Sequence, residues 1–215
     1  MSSQWTNIGT LYGLTWGNRV WVLDVAGTSP GLVNEAGRLG PLLSLDGISN
    51  SDRDEPHALG GKSLEGHELL FDRVQATYAP AGWHSLRVRA SWVPRDESTI
   101  DLEVQIQAHS VDELRNVQIH VSSQLAEHSQ VEPIGPGLRF GLAPAYLEFS
   151  HPDDTSSRDL SSPDRVRYGL FGYDLERGVV LRGRMRGTWL PARPQWDTVA
   201  QNYRNFLSQP LPLGI

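Results

Sequence analysis

The segment at residues 166–190, VRYGLFGYDLERGVVLRGRMRGTWL, decides how the chain reads. Arg182, Arg184 and Arg186 stand at alternate positions, and a period of two places their guanidinium groups on one face of a strand. The turn signal Leu175-Glu176-Arg177-Gly178 predicts one β-hairpin, with Arg167 roughly opposite Arg186 and Phe171 roughly opposite Arg182. Like charges that share a sheet face repel, so this face needs a counter-charge. Carboxylates of a neighbouring strand or an anionic ligand would supply it.

The strands upstream extend the argument about faces. In residues 83–93, Leu86, Val88, Ala90 and Trp92 are apolar while Ser85, Arg87, Arg89 and Ser91 point the other way. Residues 100–109 repeat the split, with Leu102, Val104, Ile106 and Ala108 against Asp101, Glu103, Gln105, Gln107 and His109. In residues 117–125, Val117, Ile119 and Val121 turn inward, and Gln118, His120 and Ser122 outward. A simple meander of the three predicts one continuous polar row, with Arg89 near Glu103 and Gln105 near His120.

Residues 18–26, 69–78, 138–142 and 146–149 also carry strand signals between turn residues. Regular strands with short links predict an all-β protein, a large antiparallel β-sandwich. One C-terminal helix is expected at 196–208, where Trp196, Val199, Ala200, Tyr203, Phe206 and Leu207 recur at helical spacing ahead of Pro210 and Pro212. Residues 27–66 and 150–164, rich in Gly, Ser, Asp and Pro, read as long loops within a single domain covering 1–215.

Composition narrows the function classes. A net charge of −6 over 215 residues argues against a nucleic-acid or anionic-membrane partner, since both need a dominant positive field. The arginine cluster is therefore local. With no cysteine, thiolate catalysis and sulfur-ligated zinc are excluded. No leader or membrane-length apolar run is visible, so a cytoplasmic protein is expected. His151, Asp153 and Asp154 read as a proline-containing turn rather than a metal site, and no cofactor or metal is expected. Of the seven tryptophans, Trp92 and Trp189 read as core, and Trp83 shares the parity of Arg87 and Arg89.

With its polar strand faces and the segments GWHSLRVRASWVP (82–94) and YGLFGYDLERGVVLRGRMRG (168–187), the chain resembles the galactose mutarotase-like sandwich superfamily over residues 18–190. That superfamily contains sugar epimerases and the β-domains of glycosidases and polysaccharide lyases. The resemblance implies a supersandwich with a carbohydrate ligand on its concave polar face, where mutarotases use a His and a Glu. The expected catalytic groups are His120 or His109, with Glu103 as carboxylate partner. Arg87, Arg89, Gln105, Arg167, Arg182, Arg184 and Arg186 are the expected ligand-binding groups, suited to an acidic sugar, with Trp83 as a stacking platform. The alternative is a non-catalytic structural or oligomerisation module, and a homo-oligomer is compatible with either.

Overall fold

The computed structural model of the chain describes residues 5–34, 40–51, 53–83, 86–109, 114–125, 130–141, 145–190 and 194–211. Three antiparallel sheets account for all of its described strands. A four-stranded sheet runs β1 (Thr6–Ile8), β2 (Leu11–Trp16), β3 (Arg19–Asp24) and β4 (Leu32–Asn34) in order. The remaining strands are β5 (Ser44–Asn50), β6 (Arg53–Ala58), β7 (Leu64–Leu70), β8 (Arg73–Tyr78), β9 (Leu86–Pro94), β10 (Thr99–Ala108), β11 (Leu114–Gln124), β12 (Val131–Ile134), β13 (Gly137–Phe140), β14 (Ala145–Ser150), β15 (Thr155–Ser162), β16 (Arg165–Leu175) and β17 (Val180–Leu190). Eight of them form a sheet in the order β12-β13-β14-β17-β10-β9-β8-β7, and five form a second in the order β15-β16-β11-β5-β6. The helix α1 (Trp196–Ser208) follows. None of the described helices is long and apolar enough to cross a membrane.

The alternation in β9 and β10 holds throughout. Leu86, Val88, Ala90, Trp92, Leu102, Val104, Ile106 and Ala108 are buried, and Arg87 and Arg89 lie beside Gln107 and Gln105 on the opposite face. The inner faces of the large sheets meet in one core, to which β11 contributes Val117, Ile119 and Val121 and β16 contributes Val166, Tyr168 and Leu170. Trp16 and Trp21 of the four-stranded sheet close one side of it by packing on Trp189, with ring centroids 5.7 and 5.8 Å away. Each such aromatic pair adds roughly 0.5–1.5 kcal/mol beyond its area.

Two expectations about connectivity are corrected. Residues 166–190 are not a hairpin: β16 pairs with β11 and β15, whereas β17 pairs with β10 and β14. Residues 176–179 carry the chain from one sheet to the other, so Arg167 faces Ser122 and Asp159 instead of Arg186. A tight turn is compatible with either geometry, and packing decides. Gly183 and Gly187 leave gaps between Leu181, Met185 and Trp189 on the inner side of β17, and a Cβ there would stand 3.0 Å from the Phe171 ring or 2.3 Å from the Tyr146 hydroxyl. Phe171 therefore fills the space between the layers rather than pairing along an edge. The three-strand meander fails for the same reason, since β11 belongs to the other sheet and His120 lies between Gly47 and Gly169.

The two expected long loops are also corrected. Residues 27–66 contain β4, β5, β6 and the start of β7, and 150–164 contains β15. Their Ser, Gly and Asp content suits strands placed at an edge or bent by bulges. β15 is exposed along most of its length at the margin of its sheet, and β5 meets β11 with a register shift beside Gly47.

A buried carboxyl lies between the layers. Glu148 of β14 is 1% exposed and receives hydrogen bonds from Ser123, from the Tyr146 hydroxyl at 2.8 Å and from the Tyr168 hydroxyl at 3.1 Å. Burial outweighs these bonds and pushes its pKa up to about 7. The folded chain thus holds a proton that the unfolded chain gives up near its ordinary value of 4.5. Stability from this group is complete below that value and falls as the pH rises toward about 7, by on the order of 3 kcal/mol in all. Glu148→Gln should flatten the decline in melting temperature between pH 5 and 7. An identical pH profile for both proteins would refute the assignment.

Candidate functional site

Strand register arranges the outer face of the eight-stranded sheet in rows. Val93, Asp101, Arg186 and Phe149 lie side by side, followed by Gln75, Ser91, Glu103 and Arg184. Next come Thr77, Arg89, Gln105 and Arg182, and then Arg87 and Gln107. The arginine face expected from sequence therefore exists, but it has two parts with different fates.

The first two rows are covered. Arg186 grips Asp101 with two hydrogen bonds of 2.6 and 2.8 Å, and Arg95 adds a third to the same carboxylate at 2.7 Å. Arg95 and Arg73 also reach Glu103, at 2.5 and 3.3 Å. Burial pushes the Glu103 pKa up, while Arg95 and Arg73 pull against that shift. Helix α1 lies over this region, with Phe206 and Val199 packed on Phe149 and Leu147. The Arg184 guanidinium donates to the carbonyls of Phe206 at 2.6 Å, Gln209 at 3.2 Å and Pro210 at 3.3 Å. The Phe206 carbonyl lies in the last turn of the helix and has no intrahelical partner, the other two follow directly after it, and a cation at that end also meets the negative pole of the helix dipole. Arg184 and Arg186 are 1% and 6% exposed. They anchor the helix, and Glu103 is held within the same network.

Among the described residues, none covers the last two rows as the helix covers the first two. Glu65 of β7, Thr77 of β8, Arg87 and Arg89 of β9, Gln105 and Gln107 of β10, and His109 line a groove of about 230 Å³. Arg87 is paired with Glu65 at 2.5 Å. Arg182 stands next to Gln105 on the adjoining strand, half-buried, and its buried Nε has no hydrogen-bond partner among the described residues. A half-buried guanidinium without an ion-pair partner among the described residues favours an anion or a dense set of acceptor oxygens on its accessible N–H groups.

The sequence-derived site residues thus separate into four groups. Arg87, Arg89, Gln105 and His109 share the groove, with Arg182 on its flank. Arg184, Arg186 and Glu103 are under or beside the helix. His120 and Arg167 are on the other large sheet, where the Ser49 hydroxyl lies 2.7 Å from His120 Nε2 and burial lowers the imidazole pKa. Trp83 is 5% exposed and belongs to the core; β9 begins only at Leu86, whose amide donates to the Trp83 carbonyl at 2.9 Å, so the strand parity that linked Trp83 to Arg87 does not extend to it. Glu65 and Thr77 escaped the sequence reading because β7 and β8 join the site only through sheet pairing. His151 accepts from the Asp153 amide at 3.3 Å, and Asp154 turns inward to the Arg184 amide at 3.4 Å, as expected of a turn.

No protein-family model and no curated protein sequence matches the chain. Solved structures do. A mutant of heparan sulfate lyase HepC from Pedobacter heparinus is similar with a TM-score of 0.56 at 10% identity, over 91% of this chain and 37% of that one. A TPR-domain containing protein from Parabacteroides distasonis gives 0.55 at 11% identity, over 87% of this chain and 48% of that one. The GalM/aldose epimerase homologue from C. elegans gives 0.50 at 8% identity, over 89% of this chain and all of that one. The chain spans about a third of the lyase and about half of the TPR-domain protein. The likeness is one of fold: the large antiparallel sandwich of this chain is similar to a domain of the lyase and of the TPR-domain protein and to the whole of the epimerase homologue.

Proposed function

We propose that the protein binds a saccharide in the groove lined by Arg87, Arg89, Gln105, Gln107 and His109, with a preference for an acidic sugar. The observation that carries this reading is the half-buried Arg182 on the groove's flank beside Gln105, which forms no ion pair with any described residue. An arginine can grip a carboxylate with parallel hydrogen bonds, and the two glutamine amides offer donors and acceptors to ring hydroxyls. The carbohydrate-processing names among the fold relatives support the ligand class, although one fold hosts many functions. His109 and Glu65 line the same groove and supply the groups for proton transfer, so a catalytic role would run through them.

Calorimetry with a uronate oligosaccharide and its neutral counterpart tests this reading. The natural protein should bind the uronate more tightly. Arg182→Ala should weaken that binding by about tenfold or more, the scale of a lost charge-assisted hydrogen bond, with little change in melting temperature. Absent or equal binding of both sugars, or an unaltered uronate affinity in Arg182→Ala, would remove the basis for the proposal. Epimerase assays on the natural protein and on His109→Ala separate catalysis from binding alone.

A further inference from the structure

A second cleft, of about 450 Å³, shares no lining residue with the groove. Its walls come from the start of β15, the end of β14 and helix α1, and they include Ser150, Ser157, Arg158, Tyr203 and two prolines, Pro136 and Pro152. The volume falls within the range of small-molecule sites, about 300–1,000 Å³. No carboxylate among the described residues lines it.

Arg158 is positioned rather than neutralised. Its guanidinium lies over the buried Tyr168 ring, 5.5 Å from the centroid, and Nη2 donates to Ser150 Oγ at 3.2 Å. No carboxylate among the described residues forms an ion pair with it. Its other N–H groups therefore remain for a ligand. Thr155 and Ser156 donate their hydroxyl protons to the carbonyls of His151 and Gly169, both at 2.9 Å, so their oxygens are left as acceptors. Tyr203 is fixed against Phe149 and Phe206, with ring centroids 5.7 and 6.3 Å away, and burial raises its pKa so that it keeps its proton. A rigid aromatic wall, proline flanks and a pre-set cation lower the ordering cost of binding.

We propose that this cleft is a second saccharide site, taking a pyranose ring that carries a carboxylate or sulfate group. The anion pairs with Arg158, the ring lies against Tyr203, and its hydroxyls meet the serine and threonine oxygens. The proposal does not depend on the groove, because the two sites have no residue in common.

The test is an NMR titration of the full chain with glucuronate and glucose 6-sulfate, with glucose and inorganic sulfate as comparison probes. The amides of Ser150, Ser157 and Arg158 should shift and saturate with the two anionic sugars, in the natural protein and equally in Arg182→Ala. Glucose and sulfate should each bind at least tenfold more weakly. Arg158→Ala should raise both Kd values about tenfold or more. Arg158 is exposed and makes one side-chain hydrogen bond, so the fold should persist; Arg158→Lys, which keeps the charge and loses the planar fork, should be intermediate. No saturable shift at these amides would overturn the proposal, as would equal affinity for sulfate alone or an unchanged Kd in Arg158→Ala. Loss of these shifts in Arg182→Ala would assign the binding to the groove instead.

Discussion

Asp101→Ala is expected to cost about 3–5 kcal/mol of stability, the range for removing one partner of a buried ion pair. Asp101 is fully buried, and its two oxygens take three hydrogen bonds, two from Arg186 and one from Arg95. Its loss would strand the 6% exposed Arg186 guanidinium in a site too dry to hydrate it. The damage should spread, because Arg186 also donates to the Gln209 side chain at 2.6 Å, and Gln209 belongs to the segment that ends the helix. Asp101→Asn, which keeps the shape and an acceptor oxygen, should cost less. Urea unfolding measures both variants as a shift in midpoint. If Asp101→Ala unfolds at the natural midpoint, the arginine–carboxylate network is not structural, and the whole arginine face returns as a candidate ligand surface.

Phe206→Ala should cost about 3–5 kcal/mol, the usual range for emptying a large aromatic site in a packed core. The Phe206 ring is fully buried against Phe149, with a centroid separation of 6.3 Å. The guanidinium carbons of Arg184 and Arg186 lie 4.7 and 5.3 Å from its centroid. The loss therefore removes apolar burial and also two cation–π contacts, each worth about 0.5–2 kcal/mol depending on desolvation. For a chain of this size the melting temperature should drop by roughly 6–20 °C. Deleting the chain from Trp196 onward should be at least as damaging, because Arg184 then loses all three carbonyls that satisfy it. A truncated protein that melts at the natural temperature would show the helix to be dispensable.

Together these expectations give the clustered arginines two roles on one sheet face. Residues at adjacent alternate positions of a single strand, Arg182 and Arg184, differ only in what lies above them. Arg184 meets the end of the helix, and Arg182 stands beside the open groove. Substituting each in turn separates the two roles. Arg184→Ala should lower stability, whereas Arg182→Ala should spare stability and lower ligand affinity.

Alternation alone determined which side of β9, β10 and β17 faces the core. Side chains of a strand point alternately to its two faces, and apolar burial leaves one register available. Helical periodicity likewise placed the helix at 196–208. The strands that went unread, β5, β6 and β15 among them, owe their conformation to neighbours: an edge position or a bulge makes few demands on composition, so Ser, Gly and Asp are tolerated there. The local pattern was also silent on which sheet each strand joins. A four-residue link fits a hairpin and a sheet-to-sheet crossing equally, and the strand partners and the packing of Phe171 on Gly183 across the layers set β16 apart from β17. That single choice carries Arg167 away from Arg186, as the placement of β11 carries His120 away from Glu103. The face of each strand was legible in the order of residues alone, because it depends on local periodicity and the hydrophobic effect. What the tertiary structure alone decided was which charges meet, because the partners of Arg184, Arg186 and Glu103 come from chain segments up to 30 residues away or, for Asp101 and Arg186, 85 residues apart.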